Sequence, residues 1–288
     1  MKIAFLKRIF CRFESMKRLL LLLFATVLLT SFVPKERTWT AIGDSITYMN
    51  EHQDETGNRI SKGYMTMVTE RIPGLKYINQ GHNGWTAIGI AENIEKLGLV
   101  KSDIYSVFLG TNDWWSGKPL GVFEDYTKNK GNGTVFGAFR SIVNKLRALN
   151  PDAKIILITP MQRVDFVYLN DARNNAWGSY KEKNGQSLSQ FADAVKQIGV
   201  YEKVKVVDLY HAKGLALRDL VNYKRLKDPA TGAYKNFRWP DFIDVPFDPA
   251  KDEYPYPEGA INKTYDGLHP SDSGYEIISK MMVRAIGK

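Results

Sequence analysis

Four short stretches of the sequence set reactive or polar side chains beside glycine. In TWTAIGDSIT, Ser45 follows Gly43 and Asp44 at the end of a β-rich run. A serine hydroxyl there becomes a nucleophile if a base lies beside it, and backbone N–H groups at a following helix start point toward developing negative charge. Taken alone, Gly-Asp-Ser is equally an ordinary turn and helix N-cap. In YDGLHPSDSGYEIISK, Asp266 and His269 stand three apart around Gly267, with Pro270 stopping further extension. That spacing lets a carboxylate reach an imidazole and fix its tautomer, as a serine hydrolase base requires. The alternatives are a turn histidine, or a metal site to which Asp272 adds a carboxylate. With four histidines in the chain and no second cluster of them, the metal is the weaker alternative. VFLGTNDWW puts Asn112 directly after another β-rich run, where its amide is a neutral donor for an oxyanion or simply a turn residue. INQGHNGWTA ends a Gly-rich turn on Gly84, whose N–H can come close to a reacting carbonyl. Gly81 is the rival for that position.

Such residues need a frame. Strands are expected over 38–42, 76–79, 104–109, 154–159 and 204–209, and the runs IILIT and VKVV have the apolar, β-branched character of parallel strands buried on both faces. Between and after them, helices are expected over 64–71, 87–97, 136–149, 188–198 and 274–286. In the third of these, Phe139, Ile142, Val143, Leu146 and Leu149 recur at spacings of three and four, and Pro151 stops the helix. The alternation implies βαβ units in one α/β domain: a doubly wound parallel sheet of about five strands inside a three-layer α/β/α sandwich. Ser45 and Asn112 then lie at the C-terminal edge of the sheet, where open α/β folds place their ligands. Two stretches break the rhythm. Residues 114–135 are rich in glycine and aromatics, and residues 211–265 in proline and aromatics; unstructured segments of that length are usually functional loops or lids.

In order along the chain, the blocks read G-D-S, N-x-G-x-x-G-x-T, G-x-N-D and D-G-x-H-P, spanning residues 40 to 275. Together they resemble the SGNH, or GDSL-type, hydrolases, with Ile46 where the family's usual motif has leucine. The resemblance implies a flavodoxin-like fold and a serine esterase that needs no cofactor. It implies Ser45 as nucleophile, His269 as general base and Asp266 as its orienting partner. The oxyanion hole would be the Ser45 and Gly84 N–H groups and the Asn112 side chain. An acyl-enzyme would form on Ser45 and be hydrolysed by water. Trp85, Trp114 and Trp115 lie immediately beside these blocks, as do Asp44 and Asp113. Aromatic faces near a serine nucleophile suit sugar rings, so the expected substrate is a short-chain, acetyl ester on carbohydrate, with these five residues as candidate contacts. A lipase or lysophospholipase, and a glycan-binding module without turnover, are the alternatives.

The remaining expectations concern location and partners. Residues 19–29 read LLLLLFATVLL behind Lys17 and Arg18, a secretory signal in pattern and shorter than a spanning helix requires. A signal peptide over 1–33 is therefore expected, with Met16 as an alternative start and 1–15 as an upstream extension. The hydrolase domain, 34–288, would then be secreted, periplasmic or on the cell surface, without stable membrane insertion after cleavage. The single cysteine, Cys11, falls within residues 1–33, so the exported part has no disulfide, thiol nucleophile or Cys-bound metal. Residues 1–37 hold eight Lys/Arg and two Glu, so +6 of the net +9 belongs to this segment and +3 remains. That residue of charge gives no reason to invoke nucleic acid. The partner expected is a small-molecule or glycan ester.

Overall fold

A computed structural model describes residues 16–17 and 36–287. The apolar run at 19–29 expected to be a signal lies outside the described residues.

Five parallel strands form the central sheet: β1 Arg37–Gly43, β2 Leu75–Gly81, β3 Ile104–Phe108, β4 Lys154–Ile158 and β5 Lys205–Val207, in the order β2-β1-β3-β4-β5. Alternate residues of each strand enter opposite cores, as period-2 geometry demands. Trp39, Ala41, Ile104, Phe108, Ile156 and Ile158 face one cluster, which also holds Tyr64 and Val68 of helix α2 (Tyr64–Thr69). Ile42, Tyr105, Val107, Ile155 and Leu157 face the other, with Ile88 and Ile90 from helix α3, Ala87–Glu92. Helices on both faces complete the three layers that the alternation implies. Helices α5 (Val135–Leu149) and α6 (Leu188–Glu202) pack in the second cluster through Phe139, Ile142, Phe191 and Val195. The C-terminal helix α7, Asp272–Ile286, returns to the first through Tyr275, Ile278 and Met282. The residues from Arg37 onward form one compact unit.

Register sets the site. Gly43 is level with Gly81 on one side and Phe108 on the other, so three strands end together. Immediately past those ends come helix α1 (Ser45–Tyr48), the turn holding Gly84, and helix α4 (Thr111–Trp115). Sequence expectation and structure differ in three places. The fifth strand stops at Val207, because Leu209 and Tyr210 donate their N–H groups to Thr159 Oγ1 (2.8 and 3.1 Å) and leave the ladder. The helix expected over 87–97 ends at Glu92, where Asn93 caps it with a non-helical backbone. The two irregular stretches also carry local structure: a short helix at Phe123–Thr127, and within 211–265 a helix at Leu217–Leu220 and an antiparallel hairpin of Lys224–Lys227 with Tyr234–Phe237. A second small hairpin, Phe166–Val167 with Asn175–Ala176, follows β4. Its backbone is tied to the C-terminal block, since Val164 N–H donates to Gly267 O (3.0 Å) and Val167 N–H to Asp266 O (3.1 Å).

Candidate active site

Ser45 opens α1 directly after β1. Asp44 is the N-cap, its side chain accepting the Ile46 N–H at 3.0 Å. Across the chain, Ser45 Oγ lies 2.8 Å from His269 Nε2, and His269 Nδ1 lies 2.7 Å from one Asp266 oxygen. The other Asp266 oxygen accepts the N–H groups of Leu268 (3.0 Å) and His269 (2.7 Å). Asp266 is fully buried, His269 is 4% exposed and Ser45 6%. The turn between carboxylate and imidazole depends on Gly267. Its φ is +91°, and a Cβ there would stand 2.0 Å from the Asp165 carbonyl oxygen. The imidazole is further fixed by Tyr265, stacked at 5.8 Å, and by Phe166, edge-on at 5.5 Å.

Burial opposes protonation of this imidazole, but the Asp266 carboxylate, joined by Asp44, outweighs it, and the His269 pKa stands above its ordinary value. Asp272, the carboxylate of the metal alternative, bonds instead to Ser61 through its N–H (2.8 Å) and hydroxyl (2.7 Å). Among the described residues no three His, Cys, Asp or Glu side chains group as a metal site.

The Asn112 amide donates one N–H to the Trp85 carbonyl at 3.0 Å, which holds it at the mouth of the turn carrying Gly84. Both residues line a cleft of about 310 Å³ together with Ser45 and His269. Gly81 does not line it. Its need for glycine is a packing one, because a Cβ would come within 2.2 Å of the Tyr48 nitrogen.

Of the five candidate substrate contacts, only Trp115 lines the cleft. Asp44, Asp113 and Trp114 are corrected by burial and bonding, and Trp85 lies outside the cleft lining. Asp113 is fully buried and accepts the Ala87 and Ile88 N–H groups (2.8 and 3.3 Å), tying the start of α3 to α4. Burial pushes its pKa up to about 6 against those two donors. Asp44, 2% exposed and turned into its own helix cap, is likewise raised to about 6 by burial. Trp114 is fully buried, with its indole N–H on the Gln186 carbonyl at 2.9 Å. Trp85 stacks on His82 at 4.6 Å, and its carbonyl accepts the Asn112 amide. Trp115 itself is not a bare platform, since the Arg163 guanidinium and the Lys183 ammonium both lie over its ring, at 4.8 and 4.4 Å.

Several cleft residues carried no signal in the sequence reading: Asn83, Arg163, Phe166, Tyr168 and Asn174. All but Asn83 come from the stretch after β4. The signal available was positional, because that stretch leaves the same sheet edge as Ser45 and Asn112. Residues 211–265, expected as a functional loop or lid, contribute nothing to the lining of this cleft.

The sequence pattern of the GDSL-like Lipase/Acylhydrolase family matches residues 41–277. Among solved structures, the chain is similar to a possible lipase from Chitinophaga pinensis, at 61% identity and TM-score 0.86, over 88% of this chain and 99% of that one. It shares its fold with a protein from Lactobacillus plantarum (17% identity, TM-score 0.57, 87% and 96% covered). The fold also appears in the acetyl xylan esterase AlAXEase (17% identity, TM-score 0.52, 87% and 100% covered). No curated protein matches the sequence.

Proposed function

The chain belongs to the GDSL-like Lipase/Acylhydrolase family, and from that premise we propose that it is a serine esterase acting on short-chain, chiefly acetyl, esters of carbohydrates. The observation that carries the serine mechanism is the buried chain Asp266–His269–Ser45, with heavy-atom separations of 2.7 and 2.8 Å, opening onto a cleft. His269, its Nδ1–H held by Asp266, accepts the Ser45 proton at Nε2 as Oγ attacks the ester carbonyl. The tetrahedral oxyanion is met by the Ser45 and Gly84 N–H groups and by the Asn112 N–H not engaged with Trp85. His269 then returns its proton to the departing alcohol. Water, activated by the same imidazole, frees Ser45 from the acyl group. No step calls for a cofactor.

The cleft supports the substrate reading. At about 310 Å³, its lining sets Asn83, Asn112, Ser116, Arg163 and Asn174 beside Met49, Phe166 and Leu268, and the polar group suits a hydroxyl-rich alcohol. The apolar run at 19–29 behind Lys17 and Arg18 supports export, and so a substrate met outside the cytoplasm.

The test is hydrolysis of 4-nitrophenyl acetate, butyrate and octanoate by the protein and by Ser45→Ala. Turnover that falls with chain length and disappears in Ser45→Ala supports the reading. A preference for octanoate replaces it with a lipase. Ester turnover that survives in Ser45→Ala sinks the serine mechanism. Absence of turnover on every ester leaves a glycan-binding module.

A further inference from the structure

Arg163 stands where a buried cation is hardest to account for. It is 1% exposed, yet it lines the Ser45 cleft. Its guanidinium lies over the rings of Trp114 (5.0 Å) and Trp115 (4.8 Å) and donates through Nη2 to the Trp177 carbonyl at 2.9 Å. Its Nε is buried with no partner. Buried arginines ordinarily meet a carboxylate. Asp165 and Asp266 are near enough to act on this one electrostatically, but neither bonds it. Asp165 is committed elsewhere, to Lys224 Nζ (2.7 Å), the Tyr180 hydroxyl (2.5 Å) and the Gly178 N–H (2.9 Å). Asp266 serves His269. Burial lowers the Arg163 pKa to about 10, still far above neutrality, so the charge remains.

A second cation reinforces the first. Lys183 Nζ lies 4.4 Å from the Trp115 ring centre and 4.7 Å from that of Trp177, and among the described residues no carboxylate pairs with it. No Asp or Glu lines the cleft among the described residues. The cleft lining is therefore free of carboxylates, with a cation in its wall that no carboxylate bonds and a second cation over the Trp115 indole that lines it. In such a low-dielectric recess a fixed positive charge attracts an anion more strongly than at an open surface.

We infer that the cleft selects esters carrying a carboxylate close to the scissile bond, with Arg163 and Lys183 as the cations that recognise it. The inference rests on the esterase reading and narrows it. The carboxylate can sit on the alcohol side, as in a uronic-acid glycan, or on the acyl side, as in a half-ester of a dicarboxylic acid. Both present the same anion to the same two cations.

The experiment compares kcat/KM for 4-nitrophenyl hemisuccinate with 4-nitrophenyl butyrate, and for acetylated polygalacturonate with acetylated xylan. The enzyme is measured beside Lys183→Arg, Lys183→Gln and Lys183→Glu, because Lys183 is partly exposed and its replacement leaves the core intact. In one pair or the other, the anionic substrate is expected to be favoured. That preference should fall about tenfold in Lys183→Glu and about threefold in Lys183→Gln, persist in Lys183→Arg, and shrink toward unity in about 1 M salt. Preference for hemisuccinate puts the carboxylate on the acyl side, and preference for polygalacturonate puts it on the alcohol side. Equal rates within both pairs, or ratios indifferent to Lys183 and to salt, overturn the inference while leaving the esterase in place. Failure on all four substrates removes the esterase reading and this one with it.

Discussion

Replacing Asp266 with asparagine isolates the step on which catalysis turns. One Asp266 oxygen lies 2.7 Å from His269 Nδ1, and the other accepts the Leu268 and His269 N–H groups. In Asp266→Asn the amide oxygen can still accept those two N–H groups, so the turn keeps its shape. The amide nitrogen then faces Nδ1 and makes it an acceptor, which moves the ring proton to Nε2. Nε2 in that tautomer donates toward Ser45 and cannot take its proton. The expected loss in kcat is about 10³–10⁴-fold, or about 4–5.5 kcal/mol of transition-state stabilisation, with KM little changed. The pH profile gives an independent reading. In the parent enzyme only the neutral imidazole is a base, so activity rises as pH passes through the His269 pKa, which lies above the ordinary 6.5. Burial works against the ring's charge, and the Asp266 carboxylate is the largest influence in its favour. Without that carboxylate, the acidic limb moves to lower pH. Initial rates on 4-nitrophenyl acetate across pH, normalised by phosphonate titration of active serine, measure both effects. A variant within about tenfold of the parent kcat, or an acidic limb that stays in place, would refute the assigned role of Asp266.

Two further substitutions probe the neighbouring geometry. Asn112→Ala is expected to lower kcat by about 10²–10³-fold, the usual cost of one oxyanion donor, with a stability change near 1 kcal/mol from the lost bond to Trp85; an unchanged kcat would remove Asn112 from the oxyanion hole. Gly267→Ala forces a Cβ into a left-handed backbone at +91° and to within 2.0 Å of a carbonyl oxygen, so a loss of at least about 2 kcal/mol is expected in urea unfolding. A parent-like unfolding midpoint would show that the turn relaxes at little cost.

How much of this was legible beforehand divides along a physical line. Strands β3 and β4 show plainly in the sequence because a strand buried on both faces must be apolar along most of its length, and IYSVF and IILI are. The positions of Ser45, Gly84 and Asn112 follow from the strand ends, since a βα unit delivers the residue after each strand to one sheet edge. Burial of the side chains next to them is not written locally. Trp114 and Trp115 are adjacent and identical in type, yet α4 turns one into the core and leaves the other at the cleft. The wall formed by Arg163, Phe166 and Tyr168 was invisible for a related reason. Its two short strands are only two residues each, too brief for any periodicity, and they are fixed by Val164 and Val167 bonding to a backbone about a hundred residues later.

The two aspartates misassigned to substrate reveal how the site is held. Each is adjacent in sequence to a residue of the proposed chemistry, Asp44 to Ser45 and Asp113 to Asn112, and each spends its carboxylate on backbone N–H groups at a helix start. Desolvation makes this costly, which is why both pKa values stand at about 6 instead of 3.8. A carboxyl group with a raised pKa in the fold favours the folded state fully below about 3.8 and loses that advantage as pH climbs through about 6. His269 must be neutral to act, and its own pKa is raised, so activity develops only where that advantage has gone. The buried charges are thus carried at full cost under working conditions. What they secure is the placement of α1, α3 and α4 at one sheet edge, and oxyanion stabilisation depends on donors that are already in position when the charge forms.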